Sequence, residues 1–327
     1  MKKRIISITL VLFLLILSAC GTKQEEPTVE VVEVISTNTP EPTEIPKLTP
    51  GEPRPEAERT LEDVDSSIKA YENRAVTGDN ILNNLYERPF TSEEMQYQPD
   101  LNILTTAIVS DDVFIYFTIT MDGVDPTTGI LTGTYGIEFD RSQTGRGDLL
   151  VLVTNPGTEW SMENLTVYLS EDESVGGVKP VVAEEGYEEL GYTVTAVLEG
   201  DKVAWARLAP EDSSAVQIAV SRALLSDPEE FLWGAWADGG VQDPSLFDYD
   251  DHFGPSAAGS PINTDPDYPV KALYSLDNTC RLPYGFEATS GIPGICISIQ
   301  PVSPGLVCRC IRPCYTYAGC CLEWSCE

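Results

Sequence analysis

The body of this chain is nearly free of sulfur and imidazole. Of nine cysteines, one stands at Cys20 and the other eight lie between Cys280 and Cys326, and His252 is the only histidine. A serine or cysteine hydrolase would have to use that single imidazole, and neither a G-x-S-x-G elbow nor a paired cysteine nucleophile accompanies it. Haem meets the same shortage, because axial ligation would fall to His252 with Met95, Met121 or Met162, and no c-type attachment motif is present. Positive charge is scarce as well. Twenty Lys and Arg face 52 Asp and Glu, for a formal net charge of -32, and nucleic acid, which needs a basic footprint, is excluded as a partner. The sequence lacks an apolar run long enough for a comfortable membrane span, a repeat of fixed period, and extended helical periodicity. With so many acids a carboxylate pair at glycosidase spacing will occur by chance, so their abundance identifies no catalytic residue. The residues predict a non-catalytic protein.

What is present begins with an address. Lys2, Lys3 and Arg4 precede a run of about a dozen apolar residues that ends in the small residues Ser18 and Ala19, the form of a secretory signal. The sequence LSAC, Leu17 to Cys20, resembles the lipobox of bacterial lipoproteins. The resemblance implies that residues 1–19 are removed as a signal peptide. Cys20 would then become the mature N-terminus, bearing a diacylglycerol and a further acyl chain of the palmitate type. Together the chains would anchor the protein to the bacterial cell membrane on its extracytoplasmic face far better than one alone. Removing residues 1–19 takes away three positive charges and no negative ones, which moves the net charge from -32 to -35. Residues 20–58 hold seven prolines, many Thr and Glu and no aromatic residue. Such a segment cannot bury enough apolar surface to offset its ordering entropy, so a disordered, partly polyproline linker is expected.

From residue 59 to 255 the pattern is that of strands. LNILTTAIV from Leu101, VFIYFTIT from Val113, TYGIEF from Thr134, DLLVLV from Asp148, NLTVYL from Asn164, YTVTAVL from Tyr192, VAWARL from Val203, AVQIAV from Ala215 and FLWGAWA from Phe231 are separated by Asp, Gly, Asn and Pro. About nine such runs predict an all-β fold, an antiparallel β-sandwich. DLLVLV does not alternate and reads as a central strand covered on both faces. VFIYFTIT should bury Val113, Ile115, Phe117 and Ile119 and turn Phe114, Tyr116 and Thr118 the other way. Trp233 and Trp236 fall on opposite faces of their strand, so one of them is expected inside. A short helix is expected near Leu61 to Tyr71 and a turn around Ala223 to Glu230.

The series PDLNILTTAIVSDDVFIYFTITM, YGIEFD, DLLVLV, VQIAVSRALL and FLWGAWAD resembles the DOMON-like and family-9 carbohydrate-binding sandwiches over residues 97 to about 238. The resemblance implies a β-sandwich that binds sugar or, in some branches, haem. Gln217 stands where the late strand of those families customarily has Glu, and the tryptophans that would pinch a sugar cannot be matched one by one.

Three groups of residues carry candidate chemistry. On VAWARL, Val203, Trp205 and Arg207 share one face and the smaller residues the other. If the small set is core, Trp205 and Arg207 join Phe114 and Tyr116 as an aromatic platform with a polar clamp for carbohydrate; if the second face is covered, these four are core. In EFDRSQTGRGDLL, the oxygens of Asp140, Ser142, Thr144 and Asp148 around two glycines are candidate calcium ligands, opposed by Arg141 and Arg146. In FDYDDHFG, Asp248, Asp250 and Asp251 surround His252 in what reads as a solvated acidic loop. No other cofactor is called for. Beyond the membrane, the expected partner is a carbohydrate or a cell-surface protein, or the chain is an interaction module of the envelope without a small ligand.

Residues 256–327 read as a loop-rich, cysteine-rich region. Cys280, Cys296, Cys308, Cys310, Cys314, Cys320, Cys321 and Cys326 are even in number, and export places them in an oxidising compartment, so four disulfides are expected. A zinc cluster lacks nearby histidine and paired C-x-x-C spacing. Cys280 and Cys296 flank a loop containing Gly and Pro and are the first-choice pair, with three bridges expected among the other six.

Overall fold

The computed structural model describes residues 48–145, 147–170, 194–243, 246, 249–250, 252–263, 270–287 and 294–296, with the backbone of 308–313 and 321–326. Two antiparallel sheets form the expected all-β sandwich. The first contains β1 (Arg59–Glu62), β3 (Ile103–Ser110), β4 (Phe114–Met121), β10 (Asp212–Ser221) and β9 (Ala204–Ala209), in the order β1-β3-β4-β10-β9. The second runs β2 (Glu87–Arg88), β12 (Leu276–Asn278), β11 (Phe231–Asp238), β5 (Thr134–Asp140), β6 (Leu149–Thr154), β7 (Leu165–Leu169), β8 (Val194–Thr195), with β13 (Leu282–Tyr284) also pairing β11. The second sheet thus takes up residues as far as Tyr284, from a stretch whose composition reads as loop. Among the described residues no helix is long and apolar enough to cross a membrane.

Alternation positions the core. Ile115, Phe117 and Ile119 of β4 and Val216, Ile218 and Val220 of β10 face Ile137 and Phe139 of β5, Val151 and Val153 of β6, and Phe231 and Trp233 of β11. Phe117 meets Phe139 edge-on at 5.4 Å and Trp233 at 5.0 Å between ring centroids, so aromatic contacts bridge the two sheets. Each such buried side chain contributes roughly 1.5–3 kcal/mol.

The outer face of the second sheet is covered too. Leu150 and Leu152 of β6 and Trp236 of β11 pack with Tyr86, Tyr249 and Leu276, which is why LLVLV, Leu149 to Val153, is apolar at every position. Trp233 and Trp236 do lie on opposite faces, and both are buried because both faces are occupied. Gly136 of β5 pairs with Trp236. A Cβ there would strike the Leu152 side chain and the Val151 carbonyl, so glycine is required for the close approach.

Two local expectations differ. Residues 61–71 do not form one helix: Leu61 lies in β1, and a 3-10 helix, η1 (Ser66–Glu72), begins only after Asp65, whose carboxylate accepts from the Ser67 N–H. Val113 is exposed rather than buried, because the Asp111 carboxylate accepts from the Val113 and Phe114 N–H groups in a turn, and β4 starts one residue later.

Cys280 and Cys296 form a disulfide with their Cα atoms 5.0 Å apart. Beside it, Arg281 and Ile295 make a short parallel bridge. In the tail, β14 (Cys308–Pro313) pairs antiparallel with β15 (Cys321–Cys326), with Cys308 opposite Cys326. The side chains of these strands, Cys314, Cys320, Cys20 and the linker to residue 47 lie outside the described residues.

Candidate functional site

The four residues expected to form a sugar platform are brought together on the outer face of the first sheet. Tyr116, Ala219 and Trp205 are Cα partners across β4, β10 and β9, and Thr118, Gln217 and Arg207 form the adjoining row. The face is not open, however. Phe114, Tyr116 and Arg207 are only 2, 3 and 4 % exposed, and Trp205 is half-buried. Trp160 packs against Tyr116 and lies 4.3 Å beneath the Arg207 guanidinium. The segment before β1 closes the rest. Trp205 Nε1 donates to the Leu48 carbonyl at 2.9 Å, and Arg207 Nη1 and Nη2 donate to the two Glu52 oxygens at 2.8 and 2.6 Å.

The expected open platform is therefore a small covered core. The physical reason is that a face carrying Phe, Tyr and Trp gains more from being covered than from hydration. Gln217 accepts from Arg207 Nε at 2.8 Å, while Nη1 and Nη2 of the same guanidinium pair with Glu52. Arg207 in turn holds the Glu52 carboxyl below the usual range. Burial, with the bond from the Tyr116 hydroxyl to Asp111 Oδ2, pushes the Tyr116 phenol up to about 12.

The calcium-candidate loop gathers its residues but spends their oxygens internally. Asp140 accepts from Ser142 Oγ and from the Thr144 and Gly145 N–H groups. Asp148 accepts from the Arg141 backbone and from Arg141 Nε, both at 2.6 Å. Burial raises the Asp148 carboxyl and the Arg141 charge opposes the rise. These groups pin the turn between β5 and β6, with a guanidinium where a cation would sit. In the acidic loop, Asp248 and Asp251 lie outside the described residues, while Tyr249 is buried and its hydroxyl donates to Asp238 Oδ2 at 2.9 Å.

An open cleft of about 580 Å³ lies elsewhere, between the end of η1, the 92–95 turn and the segments at Asn263 and Val270. Its lining mixes Asn73, Ser92, Glu93, Glu94, Asn263 and Lys271 with an apolar floor of Met95 and Val270. Asn263 Nδ2 donates to the Glu72 and Asn73 carbonyls, which fixes one wall. Asn73 ends η1 in the left-handed region at φ 52°, a position Asn tolerates. Met95 also sits at positive φ, 48°, an uncommon conformation for its type, held by its burial against Phe90 and Val270. Two residues before Asn73, Tyr71 is 78 % exposed, and Ile68, one 3-10 turn earlier on the same edge, is 61 % exposed. Lys69 first, then Tyr71 and Arg74, hold the Glu72 carboxyl down to about 2, so Glu72 at the end of η1 stays ionised. The sequence signal for the site was faint: YEN at a helix end, with its other wall about 190 residues away.

No family model matches the chain, and neither a curated protein nor a solved structure is significantly similar to it.

Proposed function

We propose that this chain is a non-catalytic lipoprotein, anchored through Cys20 to the extracytoplasmic face of a bacterial membrane, whose sandwich binds carbohydrate or a similar hydroxyl-rich extracellular ligand. The observation that carries the binding reading is the cleft between Asn73, the 92–95 turn and Lys271. It offers amide, hydroxyl, carboxylate and ammonium groups over an apolar floor of Met95 and Val270. Sugars need such a combination, hydrogen-bonding partners for hydroxyls and an apolar surface for ring faces. The sealed strand face cannot serve without displacing residues 48–52.

The test is a glycan array probed with the full chain in detergent, alongside Lys271→Ala in the cleft and Trp205→Phe. Binding that is lost in Lys271→Ala and kept in Trp205→Phe supports the cleft. Binding lost only when the strand face is altered puts the site there instead. A second reading is an envelope interaction module without a small ligand, favoured by the exposed Ile68–Tyr71 edge. Absence of glycan binding, with cross-linking of a neighbouring envelope protein through that edge, would establish it.

A further inference from the structure

Where the edges of the two sheets meet, three carboxyl groups converge from distant parts of the chain. Asp63 directly follows β1, and its N–H donates to the Leu104 carbonyl of β3. Glu87 of β2 and Asp277 of β12 are direct Cα partners across an antiparallel pair. Asp277 also reaches the other sheet, with Oδ2 accepting from the Ile103 N–H at 2.7 Å. One oxygen from each of the three lies within 4.8 Å of the others.

This arrangement is costly as it stands. Like charges directly opposite on paired strands repel, and a buried carboxylate needs a counter-charge or donors. Glu87 is 4 % exposed and Asp277 fully buried, yet Glu87 Oε2, Asp277 Oδ1 and Asp63 Oδ2 have no hydrogen-bond partner. The cation next to Glu87 in sequence does not relieve them. Arg88, beside Glu87, directs Nε and Nη2 to Asp79, Nη1 to the Ala258 and Leu273 carbonyls, and Nη2 again to the Gly259 carbonyl. All five of its N–H donors are used. Among the described residues, no Lys or Arg forms a salt bridge with the three carboxyls. The wall is also closed tightly: Gly78 has φ +129°, and a Cβ there would come within 2.9 Å of Glu87 Cγ and of a Val64 methyl.

We propose that Asp63, Glu87 and Asp277 form a binding site for a hard divalent cation of the calcium class, which clamps the β1 edge of the first sheet to the β2–β12 edge of the second. The donors are all oxygens, with no thiol or imidazole among them, which selects hard cations. Oxygens bound at about 2.4 Å to one centre stand no more than about 4.8 Å apart, and these three lie within 4.8 Å of one another. The bound charge offsets most of the repulsion and supplies the counter-charge that the neighbouring side chains do not. Burial first, then the neighbouring acids, raises Glu87 and Asp277 well above the usual carboxylate range. A site of this kind therefore takes up either a metal ion or protons.

The experiment uses the full chain in detergent, stripped with EDTA, and isothermal titration with calcium chloride at about pH 7.5 in about 0.15 M KCl, where weak surface binding is screened. About one equivalent should bind saturably and raise the melting temperature. Asp277→Asn and, as a second variant, Glu87→Gln should weaken binding by about tenfold or more. The exposed-acid control Asp112→Asn should leave it unchanged. If a variant fails to fold, the wild-type titration and the other variant still decide. Saturable binding that both variants leave intact would overturn the proposal. So would absence of saturable calcium, magnesium or manganese binding together with an EDTA-treated melting temperature that climbs as pH falls from about 8 to about 5, because protons would then fill the site.

Discussion

Replacing Arg281 with Met removes one half of the most enclosed ion pair described in the fold. The side chains of Arg281 and Glu138 are 4 and 2 % exposed. Arg281 Nη2 and Nε donate to Glu138 Oε1 at 2.6 and 3.1 Å, while Trp236 Nε1 donates to Oε2 at 3.0 Å. Without the guanidinium, a carboxylate in the covered face of the second sheet keeps a single indole donor. Breaking such a pair on one side costs about 3–5 kcal/mol, far more than the pair is worth against an apolar replacement. At about 2–4 °C per kcal/mol for a domain of this size, the melting temperature should fall by about 6–20 °C. Urea denaturation followed by tryptophan fluorescence is the assay, since Trp233 and Trp236 are buried and will report their exposure. Adding Glu138→Gln removes the stranded charge and keeps an acceptor for Trp236, so the double variant should recover about 2 kcal/mol relative to Arg281→Met. A single-variant cost below about 1 kcal/mol, or strict additivity in the double variant, would refute the reasoning.

Other consequences are as direct. Cys20→Ser should leave the protein unacylated and absent from the membrane fraction; detergent-phase partitioning equal to wild type would remove the anchor. Because the strand face is covered, Tyr116→Ala should cost about 3 kcal/mol of stability in denaturant titration, and a neutral result would mean the face is open. Reduction of Cys280–Cys296, which closes a loop of 16 residues, should destabilise by about 3 kcal/mol in the chain-entropy model while β4–β11 stay folded by hydrogen exchange. The Tyr116 phenol is raised in the folded state to about 12, so the stability it gives is intact below its unfolded value near 10 and is lost as pH rises from 10 to 12. Tyr116→Phe should remove that part of the alkaline loss, read by thermal melts across the range.

The strands that carry the core were legible because period-two alternation is the direct signature of a sheet with one face inside. Ile115, Phe117 and Ile119 could be placed from the pattern alone, and so could the doubly covered β6. Which outer face is covered was not legible. Alternation says that Tyr116 and Trp205 share a side, but coverage depends on where Leu48 and Glu52 fold back, and those residues sit in a proline-rich stretch that looks unstructured. The Cys280–Cys296 pair was readable because cysteine chemistry, spacing and turn residues agree. The cleft and the carboxylate cluster were hidden for a different reason. Asp63, Glu87 and Asp277 belong to no local motif, and only the pairing of β2 with β12 makes two of them neighbours.

That pairing itself rests on side chains more than on backbone. β2 has two residues and β12 and β13 have three each, so their ladders supply few hydrogen bonds to offset the entropy of ordering them. Polar side chains supply what the ladders lack. Asn278 accepts from the Tyr86 N–H and donates to the Asn84 carbonyl, fixing the segment before β2 against β12. Arg88 ties β2 to three carbonyls between residues 258 and 273, and Asp277 bonds across to β3. Arg281 and the disulfide do the same where β13 begins. Such an edge needs buried charge because it is short, and buried charge must be compensated in place. Arg88 has Asp79 and Arg281 has Glu138, whereas Asp63, Glu87 and Asp277 have no cationic side chain paired with them among the described residues. The same economy that holds the edge together with polar groups thus leaves one carboxyl cluster that no Lys or Arg pairs with among the described residues.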